Sequence, residues 1–429
     1  MGYIVSWIYI VYYHLSLPDL FPSLMSLRIG MVLLGLAGLV TLFSFISQRV
    51  MADYKTQVLF LLIFTGFIMF TRLMHGWFGG APAALVTYLP ACAVFYMVVG
   101  NVDSLGKINA LRTGLLFVAM FFVVMGILDF YTGPRETPFV MFQGSLDEAR
   151  AALEGGMRRT RGLGLMNDPN DFAQFLVCLM PLTLLMGRGK PLVRVVIVTP
   201  ILGLLLFGVY LTRSRGALVG LLIMIVLAVW DRFRWFGSLV AGGVGGAVLL
   251  VYAKVLMQRD VSLEAGADRL DIWSDALGEI KRSPLMGVGF GSFADIASLT
   301  THNSFLLAQV ELGLVGFVLW FGLFVVVLIP LWKIAAARPV SDTTDPLTNT
   351  ARALRTAIIG FLATAWFLSR TYAAFPLVLL GMGAVVEHLH QQATGQVLVP
   401  RPKVWLTASV GAAVATVILA YLMVRFGRV

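Results

Sequence analysis

The sequence predicts an all-α polytopic membrane protein, and three observations predict it. Apolar residues fill 59% of the 429 positions and charged ones only 13%, with a mean hydropathy of +0.88. Apolar runs of spanning length recur along the chain, too many and too long for one buried core. Basic residues gather in short loops between alternate runs, the pattern that orients helices in a bilayer. The whole of 1–429 reads as a single integral membrane domain.

Taken in order, the apolar runs place helices at about Tyr3 to Tyr13, Ile29 to Ser47, Val58 to Leu73, Pro82 to Gly100, Ala110 to Phe130, Phe172 to Met186 and Leu192 to Leu211. Further helices follow at Ala217 to Trp230, Phe236 to Tyr252, Ser304 to Trp332, Ala353 to Ser369, Tyr372 to His388 and Val404 to Val424. That is a bundle of about 12 spans, or 13 if the short first segment crosses. Tyr3 to Tyr13 lacks the basic flank and small-residue site of a cleaved signal, so it reads as a short span or an interfacial helix. Cys92 and Cys178 each sit inside an apolar run without metal-ligand spacing and read as packing residues.

The loops Gln48 to Lys55, Asn101 to Arg112, Gly187 to Arg194, Asp231 to Arg234 and Lys333 to Arg355 carry 2, 2, 3, 2 and 4 basic residues. They mark the cytoplasmic side. Two long connections, 131–171 and 253–303, then fall on the extracytoplasmic side together with the turn Thr212-Arg213-Ser214-Arg215-Gly216. The same count leaves the N-terminus cytoplasmic and the C-terminus extracytoplasmic.

Charged side chains at membrane depth are costly and need partners, so that turn is the leading candidate for function. Arg213 and Arg215 either snorkel from helix ends or present forked donors to an anion. In the first long loop, Arg158, Arg159 and Arg161 form a basic cluster suited to anionic headgroups or acceptor phosphates. Asn167-Asp168-Pro169-Asn170-Asp171 reads as a turn and N-cap, with a sugar-facing role as the alternative.

In the second long loop, Leu270, Trp273, Leu277 and Ile280 fall at helical spacing, predicting an amphipathic helix that carries Arg269. Arg269 is either an ordinary exposed charge there or a further anion donor. Ser283 to Gly291 follows with three alternate glycines, which let backbone approach a ligand or another helix closely. As a nucleotide loop it lacks a preceding strand and a following Lys-Ser/Thr. His302 then precedes a long apolar helix in Thr301-His302-Asn303-Ser304. It is a solvated neighbour of a cap, or a neutral imidazole able to take a proton from a hydroxyl nucleophile while cationic neighbours stabilise a leaving phosphate.

In order and loop placement, the Asn167-to-Ala173 stretch, Thr212-Arg213-Ser214-Arg215-Gly216-Ala217, Arg269 to Trp273 with Pro284 to Gly289, and His302-Asn303-Ser304-Phe305-Leu306 resemble the O-antigen ligase and Wzy-polymerase-like superfamily. The resemblance covers roughly residues 160 to 335. It implies a GT-C-like, metal-independent, inverting glycosyltransferase of the bacterial inner membrane, with a large periplasmic loop containing amphipathic helices and an active site facing the periplasm. The implied donor is an undecaprenyl-pyrophosphate-linked glycan and the implied acceptor a sugar hydroxyl of lipid A-core or a growing glycan. Catalytic roles pass to His302 as base and to Arg215 and Arg269. Arg213, Arg161, Asn167, Asp168 and Asn303 become substrate-binding residues.

No cofactor or metal is expected. The net charge of +10 suits membrane lipids and pyrophosphate, half the basic residues serving orientation, and no nucleic acid is expected as partner. Within the same class, a polymerase or a protein O-oligosaccharyltransferase shares the donor and differs in acceptor. From another class, a transporter accounts for the many spans and for Glu311 and Arg370 in apolar surroundings, but the polar cluster lies at one face and no inverted repeat is visible.

Overall fold

The computed structural model describes residues 2–47, 50–133, 137–143, 157–255, 263–297, 299–337 and 345–427. Parts of both long loops and of two basic loops lie outside the described residues. The fold is an all-α polytopic one. Among the described residues, eight helices are long and apolar enough to cross a membrane. The chain divides into two compact units, one formed by 1–42, 101–253 and 336–364, the other by 43–100, 254–335 and 365–429.

The first unit is built on α1 (Gly2–Leu15), α5 (Leu105–Thr132), α6 (Pro169–Thr183), α7 (Pro191–Thr212), α8 (Arg215–Val255) and most of α11 (Pro346–Ala365), with the start of α2 (Ile29–Ser47). α1 has 14 residues, too few to cross a bilayer upright. It is tied to α5, where Tyr3 Oη donates to Lys107 O at 3.1 Å and Trp7 Nε1 to Ala110 O at 2.9 Å. Asn101 Nδ2 donates to Ser6 Oγ and Thr41 Oγ1 at 3.1 and 3.0 Å, joining one end of α1 to α2. Such inter-helix bonds from small polar residues hold helices together where burial drives nothing. α6 is buried almost throughout, and Gln174 Nε2 reaches Thr364 Oγ1 at 2.7 Å on α11.

α8 is helical over 41 residues, across both of the spans expected at Ala217 to Trp230 and Phe236 to Tyr252. Ser238 Oγ nevertheless donates to Val226 O at 3.3 Å, and a Cβ on Gly245 would meet Leu222. Twelve helical residues span roughly 18 Å, so the chain doubles back between them and the two expected runs lie antiparallel. The first long loop also holds strands, β1 (Val140–Gln143) antiparallel to β2 (Met157–Thr160). Its periodicity is too short to read beside its charges. The expected cytoplasmic loops do meet here, since Arg355 pairs with Asp231.

The second unit contains α3 (Lys55–Met74), α4 (Gly80–Asn101), α9 (Leu263–Arg282), α10 (Ser304–Ala336), α12 (Ala374–Thr394) and α13 (Pro402–Phe426), each in whole or nearly so. α9 is the expected amphipathic helix. Ile272, Trp273 and Ala276 are buried with Phe293, Leu306, Val310 and Ala420, and Leu277 and Ile280 pack alongside. The spans expected at Ala353 to Ser369 and Tyr372 to His388 begin and end elsewhere, as α11 and α12, because the polar segment between them folds against the start of α10.

α10 is the main departure. It was expected as one span, but Gly313 breaks it with φ 63° and ψ −168°. The glycine loop enters the break: Val288 N and Gly289 N donate to Val310 O and Glu311 O, each at 2.9 Å, while Leu314 N and Val315 N donate to Pro284 O and Leu285 O at 2.8 and 3.2 Å. The loop thus replaces the helical bonds that the break removes, which an apolar surrounding demands. Cβ atoms on Gly287 and Gly313 would overlap the backbone of Glu311 and of Leu285 respectively. Of the three alternate glycines, Gly287 serves close approach to another helix.

Candidate functional site

In the first unit, the candidate residues gather at the end that carries the first long loop. α7 stops at Thr212 because Arg213 turns left-handed, φ 55° and ψ 30°, a conformation a side chain disfavours. The hydroxyls of Thr212 and Ser214 serve the backbone. Thr212 Oγ1 donates to Val209 O at 2.6 Å, and Ser214 Oγ accepts from Ala217 N at 3.4 Å to start α8. Thr212 and Ser214 are buried and the two arginines half-buried. The Arg213 guanidinium lies 4.4 Å from the Tyr210 ring centroid. Nε of Arg213 and of Arg215 is shielded from solvent without a hydrogen-bond partner, and among the described residues neither pairs with a carboxylate.

Arg159 braces this turn from β2. Its Nε donates to Thr212 O at 2.7 Å and its guanidinium also reaches Asn170 Oδ1 at 3.0 Å. The basic cluster, the Asn167-to-Asp171 motif and the arginine turn are therefore brought together, a linkage the sequence did not reveal. The individual residues differ in standing. Asp168 Oδ1 accepts from Asn170 N at 2.7 Å, with Pro169 opening the helix, so it is the N-cap of α6. Arg161 Nε donates to Pro138 O at 3.2 Å, and Asn167 is exposed at the end of the short turn Gly164–Met166.

In the second unit, His302 is half-exposed and left-handed, φ 49°, between Thr301, Asn303 and Ser304, all three fully buried. Its neighbours are anchored on both sides. Trp273 Nε1 on α9 donates to Thr301 O at 2.8 Å, and Thr301 Oγ1 donates to Asn303 O at 2.7 Å. Asn303 Oδ1 accepts from Phe305 N and Leu306 N at 3.0 and 3.1 Å, capping α10. Its Nδ2 is buried without a partner. Ser304 donates to Leu368 O and accepts from Arg370 N at 2.7 Å. A strained, over-determined backbone holding an accessible imidazole is a common arrangement at reaction centres. Arg269 sits one turn before Trp273 on α9, on an exposed position.

Glu311 is buried about two turns into α10. Its Oε2 accepts from Tyr372 Oη at 2.7 Å and its Oε1 from Phe293 N at 3.4 Å, with none of its described contacts to His302. Arg72 adds a nearby positive charge while donating to Ser292 Oγ at 2.9 Å and lying 4.4 Å from the Trp77 ring centroid. Sequence reading missed Arg72 and Tyr372; an arginine closing the apolar run of α3 was the available signal. Among the described residues, no three His, Cys, Asp or Glu side chains come together as metal ligands.

Helical spans, an arginine turn in the first unit and an anchored histidine turn in the second define a polytopic membrane protein. Residues 200–321 match the family model described as O-antigen ligase, which supports the likeness to the O-antigen ligase and Wzy-like superfamily. The matched stretch contains Arg213, Arg215, Arg269, His302 and Asn303 and leaves out Arg161, Asn167 and Asp168. The family supports a ligase- or polymerase-type role in O-antigen processing. A search of curated proteins finds no significant match.

Proposed function

We propose that the chain is an O-antigen ligase of the bacterial inner membrane, transferring a glycan from undecaprenyl pyrophosphate to a sugar hydroxyl of lipid A-core at the periplasmic face, with inversion. The family match across both the arginine turn and the His302 turn is the observation that carries this reading. The pyrophosphate leaving group supplies chemical activation, so the protein's work is positioning and charge stabilisation. Arg213 and Arg215, half-buried and unpaired, suit the charge that develops on the departing pyrophosphate, and Arg269 adds a third guanidinium. His302 takes the proton of the acceptor hydroxyl as that oxygen attacks the anomeric carbon and the bond to the pyrophosphate breaks.

Glycolipid profiling of a deletion strain complemented with wild type or His302→Ala tests this. Expected is undecorated lipid A-core with accumulated lipid-linked polymer in the variant, a loss of transfer of about 100-fold or more, at normal protein level. Single repeats still attached to lipid A-core, with chain length lost, would indicate a polymerase instead. Unchanged glycans would remove the histidine and with it this mechanism.

A further inference from the structure

A cavity of about 430 Å³ opens in the first unit, where the chain between α1 and α2 meets Gly164 and Leu165 of the first long loop. Neither the arginine turn nor the histidine turn uses it. Its polar wall is formed by Tyr12, Ser16, Asp19 and Arg28, and Met25, Met31 and Leu165 contribute apolar surface.

Backbone conformation sets this cavity apart from ordinary surface. Among the described residues, four that are not glycine have positive φ. Arg213 and His302 are two of them. The others are Ser16, φ 50°, and Arg28, φ 47°, both on the cavity wall. Conformations of that kind cluster at binding sites, where the surroundings hold them. Gly164, φ 53°, completes the wall, since a Cβ there would collide with Ser16 and come within 3.0 Å of Asp19 Oδ2. Only glycine lets the loop close onto α1.

Ser16 Oγ donates to Tyr13 O at 3.5 Å, and the other three polar side chains have no described protein partner. The Tyr12 hydroxyl is shielded from solvent without a hydrogen-bond partner, and among the described residues no hydrogen bond or ion pair involves the side chain of Asp19 or Arg28. One cavity therefore offers a donor-only guanidinium, an acceptor-only carboxylate and a hydroxyl capable of both. Asp19 and Arg28 are exposed at the cavity mouth and the Tyr12 hydroxyl is shielded; a bare phosphate would be opposed by Asp19, and an acyl chain alone would strip water from the two charges and leave the hydroxyl unpaired. A sugar, whose hydroxyls donate and accept, satisfies all three, and an acidic or phosphorylated sugar also pairs with Arg28. Phe21, Leu27 and Met31, exposed beside the cavity, supply apolar surface for a lipid tail.

We propose that this cavity seats the sugar head of a glycolipid, the acceptor of the reaction. Within the unit, the first long loop touches Ser16 and Asp19 through Gly164 and bonds Thr212 O through Arg159, so cavity and arginine turn share one end. The assignment rests on the ligase reading for the identity of the lipid, and the test keeps the two apart.

Equilibrium binding to the purified full-length chain is measured with lipid A-core, with phosphatidylglycerol and with undecaprenyl pyrophosphate. Wild type, Asp19→Asn with Arg28→Gln, and Tyr12→Phe are compared. Expected is a preference of wild type for lipid A-core over phosphatidylglycerol, a loss of about tenfold in the double variant and about threefold in Tyr12→Phe, and unchanged undecaprenyl pyrophosphate binding. Wild-type affinity for lipid A-core in both variants would overturn the site, and equal wild-type affinity for the two lipids would overturn its sugar selectivity. Glycolipid binding lost as expected, beside unchanged glycans in the deletion strain, would overturn the ligase reading and leave the cavity standing.

Discussion

Arg159 and the Arg213/Arg215 pair lie at the same end of the same unit and are held in opposite ways. Arg159 is buried, with its donors committed to Thr212 O and Asn170 Oδ1. Arg213 and Arg215 are half-buried and keep donors that no described group accepts. A shielded donor left unmade costs about 1–3 kcal/mol, which a fold tolerates where a ligand makes the bond. In the other unit Glu311 is satisfied by Tyr372 and Phe293, and His302 stands half-exposed on an anchored turn. Under the proposed function, the shielded donors of Arg213 and Arg215 are the ones a substrate anion would fill, while Arg159 and Glu311 serve as scaffold.

The largest effect expected is on scaffold. Gly313→Val places a side chain in a backbone conformation that glycine alone adopts and drives it into Leu285 and Met286. The combined strain and overlap should exceed about 4 kcal/mol, so size-exclusion profiles of a fluorescent fusion should show little folded protein. An abundant, monodisperse variant would mean that the broken helix is not what the glycine loop exists to repair.

Next comes the arginine contrast itself. Arg213→Ala with Arg215→Ala should lower glycan transfer about 100-fold or more while shifting the melting temperature little, since among the described residues their guanidinium groups make no hydrogen bond or ion pair beyond the stacking of Arg213 on the Tyr210 ring. Arg159→Ala should do the reverse, losing about 3 kcal/mol of stability by stripping bonds from a buried carbonyl and a half-buried amide. Thermal melts and transfer assays on the same preparations check both. A stable Arg159→Ala protein with transfer abolished would break the division between the two kinds of arginine.

That division explains what the sequence could and could not reveal. Arg213, Arg215 and His302 stood out because polar residues at the margins of apolar runs are rare, and the caps at Asp168 and Asn303 followed from local turn chemistry. The amphipathic face of α9 was legible from its spacing. Arg159 looked like one more basic residue in a loop, because its role depends on a carbonyl 53 positions away. The break in α10 was hidden for a similar reason. A glycine inside an apolar run leaves the run's hydropathy intact, and only the paired glycines of Pro284 to Gly289, folded against it, make the interruption stable.

The smallest effect sharpens the case of Glu311. Tyr372→Phe removes the 2.7 Å bond to Glu311 Oε2 and keeps the ring, which packs 4.5 Å from Phe290 and 6.2 Å from Tyr88 between centroids. Phe293 N still donates to the other carboxylate oxygen. Stability should therefore fall by about 1–2 kcal/mol, with transfer per folded molecule and its pH profile unchanged. A tenfold drop in transfer with a displaced pH profile would instead couple Glu311 to the proton that His302 accepts. The contacts of Glu311 argue for the first outcome, because Tyr372 Oη engages one carboxylate oxygen and Phe293 N the other, and neither bond reaches the histidine turn.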